Sequence, residues 1–297
     1  MRSRLGGGAE LDLCARAVER WEVAPGSLTH VRPGICLPGQ LERIRGAEFA
    51  SLEHTRQALK GGFDAWDGPT MGCRVVDVDL VDGVLLGSGA QRRLRPRTRY
   101  RPAYRVPREA ISGAMFESWT GNRWFGTWLT DDCLTYRLAE AAGQPVQTAS
   151  VSEWPHRRGY EALLGMTPRR VGDVHFDELV LFDDLPSNAG KSDRAHDLRT
   201  RLLAGRERPA VPGVVLLRGR SGAQRLMLNE DDVAERMATE YGFLVLDPST
   251  SSIEAIVAAC GQARVVIGVE GSQMMHGAAV MPSDAVLFVI QPADRAT

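Results

Sequence analysis

The chain has 297 residues, of which 43% are hydrophobic and 25% are charged, with 36 basic and 37 acidic side chains. This composition is typical of a folded chain long enough for two domains, and it excludes collagen, coiled coil and extensive disorder. The net charge of -1 excludes the overall positive field of a general nucleic-acid-binding protein. No apolar stretch approaches the ~18 residues of a membrane span, so we expect no transmembrane segment.

The five cysteines lie far apart, and none of their spacings is typical of a zinc site or a redox motif. We therefore expect buried thiols in a reducing compartment. Residues 1–9 lack the apolar core of a signal peptide, so the sequence predicts a cytoplasmic protein.

The first part of the chain predicts a helix, a loop and a hairpin. Residues 11–21 have the spacing of a short amphipathic helix, and the prolines and glycines that follow, up to residue 46, favour a loop. From Arg74, apolar residues alternate with aspartates up to the pair Asp82-Gly83, and a second apolar run follows at 84–86. This pattern predicts a β-hairpin with a two-residue turn.

The middle of the chain ends in a candidate linker. The patterns predict a proline-interrupted loop at 92–108, a helix at 127–142, a strand at 179–182 and a helix at 192–203. Glycine and proline then dominate residues 205–213. The sequence therefore predicts one domain over 1–208 and another over 209–297.

The second domain alternates strands and helices. Apolar runs at 214–217, 243–246, 264–269 and 285–290 predict strands, and caps predict helices from Asn229 to Tyr241, from Ser251 to Cys260 and over 272–280. Strands that are apolar throughout and separated by helices are typical of a parallel sheet covered on both faces. We expect this domain to be Rossmann-like.

Several polar residues follow the strands of this second domain. Arg218 ends the first strand, and Arg225 precedes the helix capped by Asn229, where an open α/β sheet binds phosphates. The turn Glu270-Gly271-Ser272 follows the third strand, with His276 one helical turn later. These residues could bind a nucleotide, and the alternative is surface charge and helix caps.

Three further patterns have competing interpretations. Asp77 and Asp79 could hold a metal, but an alternating strand favours two solvent-facing carboxylates. The arginines of 92–108 could grip a polyanion, but a solvated loop is favoured. The aromatic segment from Asn122 to Asp132 could be a sugar platform beside a base, or an aromatic core with acidic residues in a helix's first turn.

Four segments, taken in order, resemble glycosyltransferase family 61, in its bacterial branch of capsular and exopolysaccharide synthesis. They are Trp124–Asp131; Glu178–Asp184 with Asn188, Lys191 and Arg194; Leu217-Arg218 with Arg225 and Asn229-Glu230; and Gly268–Ser272 with His276 and Gln291-Pro292. The similarity extends from about Ala114 to the end of the chain.

This resemblance implies an α/β protein with two Rossmann-like domains in a GT-B-type arrangement, and an inverting transfer from a nucleotide diphosphate sugar to a carbohydrate hydroxyl without a metal or other cofactor. In this scheme Arg218 and Arg225 neutralise the leaving diphosphate, Glu270 orients the nucleotide and Asp131 is the base. The expected donor-binding residues are Arg218, Arg225, Asn229, Glu270, Gly271, Ser272 and His276.

The sequence departs from the family pattern at two places. Thr127 stands where the family commonly has histidine, and the chain stops at Thr297, soon after the fourth strand of its second domain. Either the natural protein is short or this is a fragment with an incomplete donor pocket. The rival function is a non-catalytic relative that binds a nucleotide or glycan as a partner or scaffold.

Overall fold

The computed structural model of the chain describes residues 2–3, 12–99, 103–149, 154–219 and 225–297. The strands in these residues are β1 (Arg2–Ser3), β2 (Glu19–Ala24), β3 (Ser27–Val31), β4 (Phe63–Asp67), β5 (Thr70–Val81), β6 (Val84–Gly87), β7 (Ala90–Arg93), β8 (Ala103–Tyr104), β9 (Ala110–Met115), β10 (Pro145–Thr148), β11 (Arg169–Val171), β12 (Val174–Asp183), β13 (Val214–Leu216), β14 (Leu244–Leu246), β15 (Val265–Val269) and β16 (Val286–Ile290). The α-helices are α1 (Leu52–Lys60), α2 (Phe125–Thr127), α3 (Cys133–Ala142), α4 (Arg157–Leu163), α5 (Ala189–Leu203), α6 (Glu230–Tyr241), α7 (Ile253–Cys260) and α8 (Met274–Ala278).

The chain divides into two compact units. Unit 1 comprises Met1–Ser27 and Gly68–Leu198, and unit 2 comprises Leu28–Asp67 and Arg199–Thr297. The boundary therefore lies within α5 instead of at the predicted 208/209, and residues 28–67 belong with the second half. Backbone contacts explain this membership, since Ala47 bridges to Ala296 and Glu48 N donates to the Ala296 carbonyl.

Unit 1 is built on an eight-stranded mixed sheet with the order β11-β10-β9-β12-β5-β6-β7, in which β2 also pairs with β5. The strands β9 to β12 are parallel to their neighbours within that group, whereas β5 runs antiparallel to β12, β6 and β2. Buried residues such as Leu80, Phe176 and Leu179 form its core. The α/β class is confirmed, and this mixed sheet differs from the all-parallel layout of a Rossmann domain.

The predicted hairpin is confirmed as β5 and β6. Val81 pairs with Val84, so Asp82 and Gly83 form the two-residue turn, with φ values of 51° and 73°. Positive φ at both central residues is the geometry that Asp-Gly favours. The first strand begins at Thr70, four residues before the predicted start.

The prediction that Asp77 and Asp79 both face solvent is wrong for Asp79, which is buried. Its carboxylate accepts hydrogen bonds from Tyr104 Oη and bonds His175 Nδ1, each at 2.8 Å. Residues Val78 to Val81 of β5 are all buried, so both faces of the sheet are covered there. The alternation of apolar and acidic residues therefore does not separate buried from exposed positions.

The helix predicted over 11–21 is also wrong. In the described part of this segment, a 3-10 turn covers Leu13–Arg16 and β2 begins at Glu19. The loop predicted up to residue 46 contains β3. Both strands depend on partners distant in sequence, β5 and β4, which a local pattern cannot reveal.

The cysteine prediction needs correction as well. Cys14 and Cys73 form a disulfide, while Cys36 is exposed and Cys133 and Cys260 are buried thiols. The two bonded residues are 59 positions apart and meet because β2 and the preceding turn lie along β5.

Unit 2 contains a parallel sheet with the strand order β14-β13-β15-β16. The predicted strands and helices of this region are confirmed within one or two residues. One cap differs, because Ser252 instead of Ser251 accepts the hydrogen bond at the start of α7. In the unit's own order the strands run 2-1-3-4, so the order reverses between β13 and β15, where such sheets bind ligands.

Candidate functional site

Arg218 lies at the carboxyl end of β13, at the reversal point of the unit 2 sheet. Its Nη1 donates to the Glu270 carbonyl at 2.9 Å and to Gln273 Oε1 at 3.1 Å. A Cβ on Gly271 would lie 1.7 Å from this nitrogen, so only glycine allows the guanidinium to approach the turn after β15. The glycine of the predicted motif is thus required by Arg218.

Arg225 and Glu270 form an ion pair, and their side chains are only 10% and 14% exposed. Burial lowers the pKa of Arg225, and the neighbouring charges of Arg295 and Arg218 lower it further. Arg225 is therefore paired with the Glu270 carboxylate, while Arg218 is bonded to the Glu270 carbonyl. The predicted role of Glu270 in orienting a nucleotide stays a prediction.

Glu230 is the residue of this region whose role the sequence did not reveal. Its carboxylate accepts hydrogen bonds from Arg218 N at 2.8 Å and Gly219 N at 3.0 Å. It thereby fixes the backbone that carries Arg218. The Asn229-Glu230 pattern, which is part of the family resemblance, was the sequence signal that could have pointed to Glu230.

The start of α6 corrects the expectation of a helix end that favours phosphate. Asn229 is the N-cap residue but makes no side-chain capping bond. Glu230, Asp231 and Asp232 occupy the first turn, so carboxylates already complement the helix dipole. The predicted part of Asn229 in donor binding stays a prediction.

Two other predicted residues, Ser272 and His276, lie in the turn and helix that follow β15. Ser272 is half-buried in the turn before α8, where its carbonyl accepts from Met275 N. His276 is buried within α8. Their predicted part in donor binding stays a prediction.

In unit 1, the predicted base Asp131 lies on a π-helical turn. The helix predicted over 127–142 consists of α2, a π-helical turn from Trp128 to Asp132, and α3. Such turns are frequent at functional sites because the extra residue redirects side chains. Asp131 is about one-third exposed and forms an ion pair with the buried Lys191 through Oδ1.

The second family-like segment surrounds this ion pair. Lys191 Nζ also donates to the Asp184 carbonyl at 2.9 Å, and Asn188 Oδ1 accepts from Lys191 N at 3.1 Å. The buried Asp184 carboxylate accepts from Thr70 Oγ1, Thr135 Oγ1 and Arg194 Nη2 at 2.9, 2.8 and 2.6 Å. These residues hold the lysine, and through it the carboxylate of Asp131.

Asp132 occupies a different environment from its neighbour. Its buried carboxylate accepts from Ser118 Oγ at 2.7 Å, and burial raises its pKa well above the usual range. It anchors the loop at 118–121 through Ser118 and makes no side-chain capping bond at the start of α3. Gly121 lies against this carboxylate, since a Cβ there would be 1.9 Å from Oδ2. Nearby, burial raises the pKa of Glu117 to about 7.

Two of the three aromatic residues in the 122–132 segment belong to the core, whereas Trp124 is half-buried. Phe125 and Trp128 are buried and pack with Trp154 and Tyr160. The Arg157 guanidinium lies 5.0 Å from the Trp128 ring centroid. The aromatic-core alternative therefore describes Phe125 and Trp128.

The arginine-rich segment is partly bonded within unit 1. Arg92 pairs with Asp12 at 2.8 Å, and Arg99 pairs with Asp173 at 2.8 Å. Residues 100–102 of the run lie outside the described residues. These pairs correct the interpretation of the segment as a simply solvated loop.

The described residues contain neither a candidate metal site nor a candidate membrane span. They contain no group of three or more histidine, cysteine or acidic side chains placed to hold a metal ion. None of their helices has both the length and the apolar character needed to cross a bilayer. Metal-free chemistry and the absence of other cofactors stay predictions.

Comparison with known proteins gives one family. The model described as Glycosyltransferase 61 matches residues 89–288, which is about two thirds of the chain. No curated protein matches the chain with significant sequence similarity. The match includes the Asp131 and Lys191 pair of unit 1 and the Arg218, Arg225 and Glu270 cluster of unit 2, so the chain belongs to glycosyltransferase family 61 and is a glycosyltransferase.

Proposed function

We propose that this enzyme transfers a sugar from a nucleotide diphosphate sugar to a carbohydrate hydroxyl with inversion, in bacterial capsular or exopolysaccharide synthesis. In this proposal it works in a GT-B-type arrangement without a metal. A cytoplasmic location remains part of the proposal, although the Cys14–Cys73 disulfide is more typical of an oxidising compartment.

The observation that carries the donor assignment is the cluster of Arg218, Arg225 and Glu270 at the carboxyl edge of the unit 2 sheet. Two partly buried guanidinium groups can bind a diphosphate through forked, charge-assisted hydrogen bonds. They stabilise the negative charge that develops on the leaving group as the bond to the sugar breaks. Glu230 and Gly271 position Arg218 for this role.

Asp131 is the proposed base of the transfer. Its carboxylate takes the proton of the acceptor hydroxyl while that oxygen forms a bond to the anomeric carbon and the nucleoside diphosphate departs. Lys191 holds Oδ1, and Oδ2 lies 3.4 Å from Thr130 Oγ1. This fixes the direction of a carboxylate that remains about one-third exposed.

Calorimetric titration of the full chain with uridine, guanosine, cytidine and adenosine diphosphates tests the donor site. We expect one of them to bind saturably, and Arg225→Ala to weaken its binding by about 10- to 100-fold, the loss of a charge-assisted contact. The control Arg236→Gln, which removes an exposed Arg–Glu pair on α6, should bind as the wild type does.

Arg225→Ala also leaves the Glu270 charge without this partner, and that charge would repel a phosphate. The double variant Arg225→Ala/Glu270→Gln removes both charges. We expect weak binding in the double variant too. Wild-type affinity there would show that Arg225 does not contact the diphosphate.

The second candidate function is a non-catalytic relative that binds a nucleotide or glycan. Thr127 favours it, because the family commonly has histidine at this position. Saturable nucleotide binding without turnover on any donor would support it. Turnover with Thr127 in place would reject it.

A further inference from the structure

The segment after β16 lies at the same carboxyl edge as the proposed donor residues. Glu270 N donates to the Ile290 carbonyl at 3.0 Å, so the ends of β15 and β16 are adjacent. Arg295 follows five residues after Ile290, in a turn in which its N–H donates to the Pro292 carbonyl at 3.4 Å. A third arginine thus follows closely on a strand end that is adjacent to Glu270, the partner of Arg225.

The backbone of this segment is fixed by residues 45–48. Glu48 N donates to the Ala296 carbonyl, and Ala296 N donates to the Gly46 carbonyl, both at 3.0 Å. A Cβ on Gly46 would lie 2.2 Å from the Asp294 carbonyl oxygen. The two backbone segments, 45–48 and 293–296, therefore approach as closely as glycine allows. Arg295 therefore projects from an anchored backbone.

The side chain of Arg295 is held by Glu48. Its Nε and Nη2 donate to the two carboxylate oxygens at 2.6 and 2.7 Å. Both side chains are about one-third exposed. A guanidinium whose fork binds one carboxylate has the geometry to bind a phosphate in the same way.

Arg295 also acts electrostatically on both donor arginines. Its charge lowers the pKa of Arg225 and of Arg218, in each case after the larger effect of burial. Within the described residues, the buried Arg225 Nε has no hydrogen-bond partner. Three arginines whose charges act on one another, one of them with an unused donor, form a site suited to a polyvalent anion.

We propose that Arg295 is a third guanidinium of the diphosphate site, and that Glu48 is the internal counter-ion that holds its fork until a phosphate arrives. This inference rests on the proposed function and adds to it. Both residues lie outside the segment matched by the family, residues 89–288.

The alternative is that the Glu48–Arg295 ion pair has only a structural role and holds residues 45–48 against residues 293–296. The two roles predict different signs for two substitutions. If the ion pair is only structural, Arg295→Gln and Glu48→Gln both break it and should weaken pyrophosphate binding equally. In a phosphate site, Arg295→Gln removes attraction whereas Glu48→Gln removes a repelling charge.

Titration of the full chain with inorganic pyrophosphate and inorganic phosphate at low salt distinguishes the roles. We expect Arg295→Gln to weaken pyrophosphate binding about tenfold, and Glu48→Gln to leave it unchanged or tighten it up to about threefold. Phosphate binding should change less than pyrophosphate binding, and Arg236→Gln should change neither.

Equal weakening by Arg295→Gln and Glu48→Gln, or wild-type binding in Arg295→Gln, would overturn the inference. If Arg295→Gln does not fold, Arg295→Lys replaces it, since lysine keeps the charge and loses the fork; wild-type affinity there would reject the forked contact. Loss of binding in Arg225→Ala but not in the Arg295 variants would leave the proposed donor site standing. A wild type that binds neither pyrophosphate nor any nucleoside diphosphate would remove both.

Discussion

Two adjacent carboxylates, Asp131 and Asp132, have separate environments. Asp132 is buried on Ser118 with a raised pKa, whereas Asp131 is partly exposed and paired with Lys191. The sequence singled out Asp131 as the base of the transfer, and that role stays a prediction. The lysine partner could not be predicted, because it lies 60 residues away and its segment showed only a resemblance without a role.

At the residue scale, Asp131→Asn should abolish most transfer. The amide keeps the shape but cannot accept the proton, so we expect turnover to fall by roughly 10²- to 10⁴-fold while donor binding changes only a few-fold. Steady-state kinetics and calorimetry on the same preparation measure both quantities. Asp193→Asn, an exposed change on α5, is the matched control. Near wild-type turnover in Asp131→Asn would assign the proton to another group, with Glu117 and Asp183 next to be tested.

Elements of unit 2 were predictable because their signals are local. Continuous apolar runs mark its strands, and Gly242 adopts the left-handed conformation that ends α6. In unit 1 the signals are not local, because β2 is defined by its pairing with β5 and the Cys14–Cys73 bond joins them. Cysteine spacing alone carried no information about that bond.

At the element scale, the disulfide predicts a count of reactive thiols. Alkylation of the unfolded, unreduced chain should modify only Cys36, Cys133 and Cys260, and reduction should raise the count to all five cysteines. Closing a loop of this length should stabilise the fold by about 4 kcal/mol, so reductant should lower the thermal midpoint.

The matched control for this measurement is Cys36→Ser, which removes an exposed thiol and should leave the midpoint unchanged. Cys14→Ser/Cys73→Ser should melt as the reduced wild type does. Five modified thiols without reduction would show that the bond is absent.

At the scale of the whole molecule, the division into domains at 208/209 stays a prediction, and the membership of residues 28–67 in unit 2 was not foreseen. Glu48 and Arg295 are 247 residues apart, and neither lies in a motif that the sequence singled out. Contacts of this range depend on how strands pair, so they become visible only in the folded chain.

The free energy of unfolding should depend on pH through Glu117. Burial raises its pKa from 4.5 to about 7, outweighing the Thr148 N–H that donates to it at 2.8 Å and the Arg157 charge. The folded state therefore keeps a proton that the unfolded chain has lost. Stability from this group is fully present below pH 4.5 and decreases as the pH rises to about 7.

Glu117→Gln should remove this dependence, because the amide stays neutral and its oxygen can still accept from Thr148 N. The wild type should lose about 3 kcal/mol more than the variant between pH 4.5 and 8. Urea unfolding followed by tryptophan fluorescence measures this, since five of the six tryptophans lie in unit 1 and only Trp66 lies in unit 2. The exposed control Glu140→Gln should keep the wild-type slope. Identical slopes in wild type and Glu117→Gln would mean that Glu117 is ionised in the folded protein across this range, with Arg157 compensating for its burial.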